Sequence, residues 1–233
     1  MNVKKTEYMT FFDGDVNVHL QGERIRKTDT YKLVGIVIDK ELSWNPHFEK
    51  VVTKLRQATG MLARSKHILP AASKLLIYHS LFRSYLTYGL AHYGAINKTK
   101  VNTLQNLQDR ALRCVFHVRN RFLPEIRKEH KLLTVQDEII LSRVQLGVSV
   151  TNEQAPNNVR SIFQSNVPSR RTRQAEAVKL VLPKWKLEMW RKQSSYAVPL
   201  VFNQLHKSVL ELKPKAISKH VKQLLLKSYK NEK

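Results

Sequence analysis

The chain has 233 residues, 42% hydrophobic and 25% charged, which suits one large globular domain or two small ones. Lys and Arg number 41 against 18 Asp and Glu, a formal net charge of +23 that favours a polyanionic partner, nucleic acid first, through counterion release and long-range attraction. A single cysteine, Cys114, excludes an intramolecular disulfide and a cysteine-based zinc site, and no window reaches the ~18 apolar residues of a membrane span.

The N-terminus, MNVKKTEYMTFF, lacks the organisation of a signal peptide, so the chain reads as intracellular, with nucleus or cytoplasm left open. Residues 5–12 (KTEYMTFF) read as a strand, Asp13-Gly14-Asp15 as a tight turn, and VNVHLQ as a second strand by strict alternation. A turn at Gln21-Gly22-Glu23 leads through IRKTDT to a third strand, YKLVGIVID. These make a small antiparallel sheet. Three short strands bury too little to be stable alone, so a larger partner is implied.

From Asn45-Pro46, with Asn45 as N-cap and Pro46 at the first helical position, a helix runs to about residue 69. Phe48, Val51, Val52, Leu55, Ala58 and Leu62 fall on one stripe; Lys50, Lys54 and Arg64 lie on the opposite side. Residues 71–93 are apolar on nearly every face and predict a central, buried helix. Asn97 or Thr99 caps a third helix to about residue 118, with Val101, Leu104, Leu107, Ala111, Leu112 and Val115 inward. Arg110, Arg113, Arg119 and Arg121 follow in quick succession, and Cys114 reads as a buried structural thiol.

One or two further helices lie between residues 122 and 150, interrupted by LLTVQDE, where Thr134 is a candidate cap. Residues 151–175 are polar, proline-containing and aperiodic, the best linker in the chain. Beyond them VKLVLPKWKLEMW suggests short strands, residues 198–212 a helix and residues 215–230 a terminal basic amphipathic helix. The fold class is therefore α+β, mainly α: a small N-terminal antiparallel hairpin or sheet (1–43), a helical bundle (44–150), a linker (151–175) and a mixed, mostly helical C-terminal region (176–233).

Chemistry-bearing motifs are missing. The seven glycines form neither GxGxxG nor a phosphate loop, and the nine histidines form neither HExxH nor a spaced ligand set. Asp13 and Asp15 read as turn residues, not a metal pair, because Asp-Gly specifies the turn by itself and no third ligand is near.

The order of the segments carries more than any one of them. VKKTEYMTF, then YKLVGIVIDKELSWNPHFEKVVTKL, then LLIYHSLFRSYLTYGL, then LQNLQDRALRCVF, resembles the C-terminal part of the reverse transcriptase of non-LTR (LINE-type, jockey-like) retrotransposons. In that family an Asn-x-x-Lys-Thr segment, here Asn2 to Thr6, leads into a palm strand. An aromatic-x-Leu-Gly hairpin follows as primer grip, here Tyr31, Lys32, Leu33, with Val34 intervening before Gly35. The helices after it resemble the thumb. RRTR at 170–173 and SYAVPLVFNQL at 195–205 resemble the post-thumb region, with Ala197 and Phe202-Asn203 where Gly and Trp-Asn are more usual.

The resemblance implies a fragment of an RNA-directed DNA polymerase that binds RNA, DNA or an RNA–DNA hybrid and needs a palm and fingers portion as partner. The family's catalytic Asp-Asp motif and its two Mg²⁺ ions precede the segment at which this chain opens, and none of its six aspartates forms such a pair. No catalytic residue, metal ligand or cofactor is therefore expected in this chain, and no polymerisation by it alone. On this resemblance Lys5 matches a palm lysine, and Tyr31, Leu33 and Gly35 the grip. Lys50, Lys54, Arg64, Arg110 and Arg113 are candidate phosphate contacts, and Arg170, Arg171 and Arg173 are a basic knot. Solvated surface charge and strand packing are the structural alternatives; for Trp44, Trp185 and Trp190, packing is weighed against base stacking. Two other readings stand beside it: a co-opted nucleic-acid-binding or chromatin protein, and an inactive relic. The fragment reading alone implies a sheet with an uncovered edge and face.

Overall fold

The computed structural model describes residues 2–11, 16–163, 165–166, 179–184 and 193–228. The Asp13-Gly14-Asp15 turn, the Arg170, Arg171, Arg173 knot, Trp185 and Trp190 lie outside them. The chain divides into two compact units, Met1–Lys54 and Leu55–Lys233, with the division inside the first long helix.

Among its described residues the first unit holds three two-stranded ladders. Two residues of the segment read as a first strand pair: β1 (Glu7–Tyr8) runs parallel to β4 (Arg26–Lys27). Residues ahead of β1 instead form a 3-10 turn, Val3–Lys5, closed onto the Asn2 carbonyl by the Lys5 amide (3.1 Å) and the Thr6 hydroxyl (2.9 Å). β2 (His19–Leu20) and β3 (Glu23–Arg24) form an antiparallel hairpin, as do β5 (Thr30–Leu33) and β6 (Ile36–Asp39). Residues 31–39, which alternate like one strand, are thus two. They fold back at Val34-Gly35, where both residues have positive φ (45° and 86°), as tight two-residue hairpin turns require. Gln21-Gly22 turns the other hairpin in the same way.

Helix α1 (Asn45–Arg64) starts one residue earlier than the cap assignment predicts: the Trp44 carbonyl already accepts from the Phe48 amide (2.9 Å). All six residues of its predicted stripe are buried.

In the second unit, residues 71–93 are not one continuous buried helix. They form α2 (Ala71–Ile77), a π-helical stretch (Tyr78–Arg83), α3 (Ser84–Thr87) and, after Gly89 at φ 71°, α4 (Leu90–Tyr93). Lys74, Tyr78, Phe82, Leu86 and Leu90 are buried at a spacing of four, with Tyr93 buried after them. In an α-helix such spacing drifts about 40° per step; the wider π turn removes part of that drift and keeps the row on one side. Leu76, Tyr85 and Tyr88 are left exposed.

Helix α5 (Lys98–Phe116) is capped by Asn97, whose side chain accepts from the Lys100 amide at 2.9 Å, which decides between the two candidate caps. Leu104, Ala111, Leu112 and Val115 are buried, Val101 and Leu107 half-buried. Cys114 is half-buried, not buried. A short α6 (Leu123–Glu129) precedes α7 (Val135–Thr151), capped by Thr134.

The central helix is α7. Its buried residues lie on more than one face, and it packs against α3, α4, α5 and the C-terminal helices α9 (Ser194–Phe202) and α11 (Pro214–Ser228). Leu141, Val144 and Val148 of α7 share a core with Val198, Phe202, Ile217 and Val221. A Cβ on Gly147 would come within 2.6 Å of the Phe202 ring, so the bare backbone there admits the ring. Residues 151–163, which open the segment read as linker, contain α8 (Asn157–Arg160) and place Ala155 and Phe163 in this core. β7 (Ser165–Asn166) pairs with β8 (Lys179–Leu180), and the Asn203 side chain clasps the Leu180 backbone through both its amide oxygen (3.0 Å) and nitrogen (2.8 Å). Two helices, α9 and α10 (Lys207–Leu210), stand where one is predicted over 198–212, and α11 matches the terminal amphipathic helix. The architecture is α+β, mainly α, with small antiparallel ladders at the N-terminus.

Candidate nucleic-acid interface

The hairpin β5–β6 has two different faces. Opposed pairs Tyr31–Ile38 and Leu33–Ile36 share one face, and Lys32–Val37 and Thr30–Asp39 the other, by the alternation of strand side chains. The first face is apolar and open: Tyr31 is 44%, Leu33 52% and the turn residue Val34 79% exposed. Strand packing within this unit therefore does not account for the character of Tyr31 and Leu33. An uncovered apolar face is the feature that the fragment reading implies.

The second face is braced to the start of α1 by three polar ties. The Asp39 carboxylate accepts from the Ser43 amide (2.9 Å) and the Trp44 amide (3.0 Å), fixing the turn into the helix. Burial pushes the Asp39 carboxyl up, but those amide bonds outweigh it and the net shift is down, so the group stays ionised. His47 Nδ1 accepts from the Val37 amide at 3.3 Å, which requires a ring nitrogen without a proton. Burial, with the Lys50 charge adding, pushes the His47 imidazole down to about 4, so the ring is neutral near pH 7. The Lys50 ammonium donates to the Gly35 carbonyl in the turn.

That last tie joins two predicted site residues, Gly35 and Lys50. Burial and the charges of Lys32 and Lys54 push the Lys50 ammonium down, so Lys32 and Lys54 each sit close enough to repel Lys50. Lys32, Asp39 and His47 were not singled out from the sequence. Lys32 is detectable in retrospect, because it alternates between Tyr31 and Leu33 and so must lie on the opposite face from them. Asp39 and His47 act through backbone partners that only the fold supplies. Lys5, on the Val3–Lys5 turn, is exposed.

Arg64, Arg110 and Arg113 lie in the second unit, and Trp44 in the first. Arg64 is exposed in the last turn of α1, and Arg110 is exposed on α5. Arg113 is half-buried, and its Nε is buried without a hydrogen-bond partner. Trp44 is half-buried at the entry to α1 with φ 62°. Among the described residues no group of three His, Cys, Asp or Glu could hold a metal ion, and no helix is long and apolar enough to cross a membrane.

No family model matches the chain, and no solved structure matches it. Curated proteins do. The RNA-directed DNA polymerase from mobile element jockey of Drosophila melanogaster is 29% identical over 143 residues, covering 57% of this chain and 16% of that protein. The probable RNA-directed DNA polymerases from transposon BS and from transposon X-element, of the same organism, are 27% and 26% identical; each match covers 52% of this chain and 14% of the relative. Over about half its length, the chain is similar to the RNA-directed DNA polymerases of jockey-like non-LTR retrotransposons, and it spans about one sixth of their length.

Proposed function

We propose that this chain is the part of a retrotransposon RNA-directed DNA polymerase that grips template and primer: palm end and primer grip, thumb and post-thumb. The carrying observation is the braced hairpin, where an open apolar face with Tyr31 and Leu33 stands back to back with a lysine cluster of Lys32, Lys50 and Lys54. In this role Tyr31 and Leu33 bear on the sugar and base edge of the primer end. Lys32 and Lys54 neutralise phosphates, and Lys50, tied to Gly35, sets the height of the hairpin tip. Arg64, Arg110, Arg113 and the Arg170, Arg171, Arg173 knot add sequence-independent attraction along the nucleic acid, in keeping with the +23 charge.

The chain grips RNA–DNA hybrid without sequence preference and does not extend a primer by itself. Mg²⁺ belongs to the complete polymerase. The described residues do not fit it: the buried carboxylate Asp39 spends both oxygens on backbone amides, and no cluster of ligands stands elsewhere among them. The palm and fingers portion is the partner that holds the primer end against the open hairpin face.

The test is a purified chain offered a primed RNA template with nucleotides and Mg²⁺. Expected are a shifted template–primer complex and a primer of unchanged length. Primer extension would refute the assignment of polymerisation to the rest of the enzyme. No complex at low salt would refute the gripping role.

A further inference from the structure

The second unit contains a cleft of about 770 Å³ that the hairpin account does not use. Two long helices open onto it by their N-terminal halves: α5 through Lys98, Val101, Asn102 and Gln105, and α7 through Gln136, Ile139 and Arg143, with its cap Thr134 beside them. Helix starts carry partial positive charge, so the site favours an anion before side chains are counted.

The side chains sharpen this. The cleft has three cations, Lys98, Arg127 and Arg143, and one carboxylate, Asp109. That carboxylate is already taken: Arg127 donates to it, and Gln105 donates to it at 2.7 Å. Gln105 also donates to Gln108 at 3.0 Å and accepts from the Val135 amide at 2.9 Å, so this part of the cleft is a fixed polar floor. Arg143 differs. Its Nε, like that of Arg127, is buried with no hydrogen-bond partner, but among the described residues no carboxylate pairs with Arg143. A guanidinium that lines the cleft without a carboxylate to balance it calls for an anion, and a phosphate supplies one.

The rest of the cleft suits a base. Ile96, Val101, Ile139 and Leu200 give it aliphatic walls, and Asn102 and Gln136 put side-chain amides, each donor and acceptor, at its edge. Its size lies in the range of sites that enclose a small ligand. Apolar walls around a base, amides at its edge and a cation at its phosphate are how proteins hold a nucleotide taken out of a stack.

We propose that this cleft binds one unpaired nucleotide of a single-stranded nucleic acid, phosphate on Arg143 and Lys98 and base between the aliphatic walls. The proposal rests on the gripping role above and adds a single-strand site to it, in a place that the grip does not involve. It gives the chain a way to hold an unpaired template stretch next to a paired one.

The experiment uses the full chain and a short single-stranded RNA carrying one 4-thiouridine, alone or as an overhang on an RNA–DNA hybrid. Ultraviolet crosslinking followed by peptide mapping is expected to place the adduct within residues 94–102 or 134–143. The overhang should tighten binding over the blunt hybrid by about tenfold, the worth of one hydrogen bond to a charged group. Arg143→Gln and the exposed-residue variant Lys98→Gln should each reduce the adduct and the overhang preference while leaving blunt-hybrid affinity unchanged. A thermal melt of each variant shows whether the fold is kept, and Lys98→Gln decides if Arg143→Gln does not fold. Hybrid binding with no adduct in the cleft, or an adduct and preference unaltered in both variants, overturns the nucleotide site alone. An adduct in the cleft with no affinity for blunt hybrid overturns the gripping role alone, and loss of both overturns both.

Discussion

The hairpin end and the helical unit around α7 are held in different ways. Around α7 the cohesion is apolar: Phe202 lies against a bare glycine, and a row of valines and leucines from three helices closes over it. The hairpin β5–β6 is held to the start of α1 by a carboxylate, an imidazole and an ammonium, each on a backbone group. Tyr31 and Leu33 point the other way and stay open. Apolar packing tolerates pH and salt and is lost by cutting volume. Polar ties depend on ionisation state and leave an apolar surface for something else to cover. A part that must meet a partner and a nucleic acid is suited to the second kind of hold, and a scaffold to the first.

Substitutions can break this contrast. The largest effect belongs to Phe202→Ala, which empties a fully packed site at the junction of α7 and α9. Loss of roughly 3–5 kcal/mol is expected, read as a drop in the urea midpoint. Amide exchange in the hairpin should change little; a loss of protection at Val37 equal to that in α7 would mean that the two regions do not differ as described.

A pH titration comes next. The folded His47 has its pKa lowered to about 4 from an ordinary 6.5, so the unfolded chain binds the extra proton between those values. Its contribution to stability is therefore complete above pH 6.5 and is lost as pH falls toward 4, by roughly 3 kcal/mol in all. His47→Gln should flatten urea-derived stability across that window. Asp39, whose carboxyl is shifted down from 3.8, acts mostly below that window, so the upper part of the slope, above about pH 5, belongs to His47. An unchanged pH slope in His47→Gln would remove the imidazole from the brace.

Asp39→Ala should cost about 1–2 kcal/mol by freeing the Ser43 and Trp44 amides, and those two amides should exchange faster than any in α7. The smallest effect has the opposite sign. Val34 is β-branched yet held at φ 45°, so Val34→Asn should stabilise the hairpin by up to about 1 kcal/mol. If that variant also weakens hybrid binding, the strained tip is serving contact and not folding.

Much of this was legible in the sequence, for reasons that differ by region. The six-residue stripe of α1, the Thr134 cap and the terminal amphipathic helix follow from spacing and capping chemistry alone. Residues 71–93 misled because an apolar surface all round suggests burial, whereas Leu76, Tyr85 and Tyr88 face outward and the central position belongs to α7, whose pattern includes Asp137, Glu138 and Arg143. Glu138 is buried there because Arg83 reaches it at 2.7 Å, a partner 55 residues away that no local pattern reveals. Residues 151–163 look like linker because their two anchors, Ala155 and Phe163, are too far apart to make a period. In the candidate site, the basic residues of α1 were visible, but that Lys50 is tied to Gly35 and Lys32 joins the cluster depends on the hairpin turning at Val34.

The central claim is that the hairpin and the start of α1 meet phosphates through Lys32 and Lys54. It is tested most directly by the salt dependence of RNA–DNA hybrid binding, compared between the unaltered chain and the Lys32→Ala, Lys54→Ala double variant. The account predicts a steep fall of affinity with salt, and a log–log slope that is shallower by about 2 in the double variant, close to one unit for each phosphate contact removed. Equal slopes for the two proteins would contradict it.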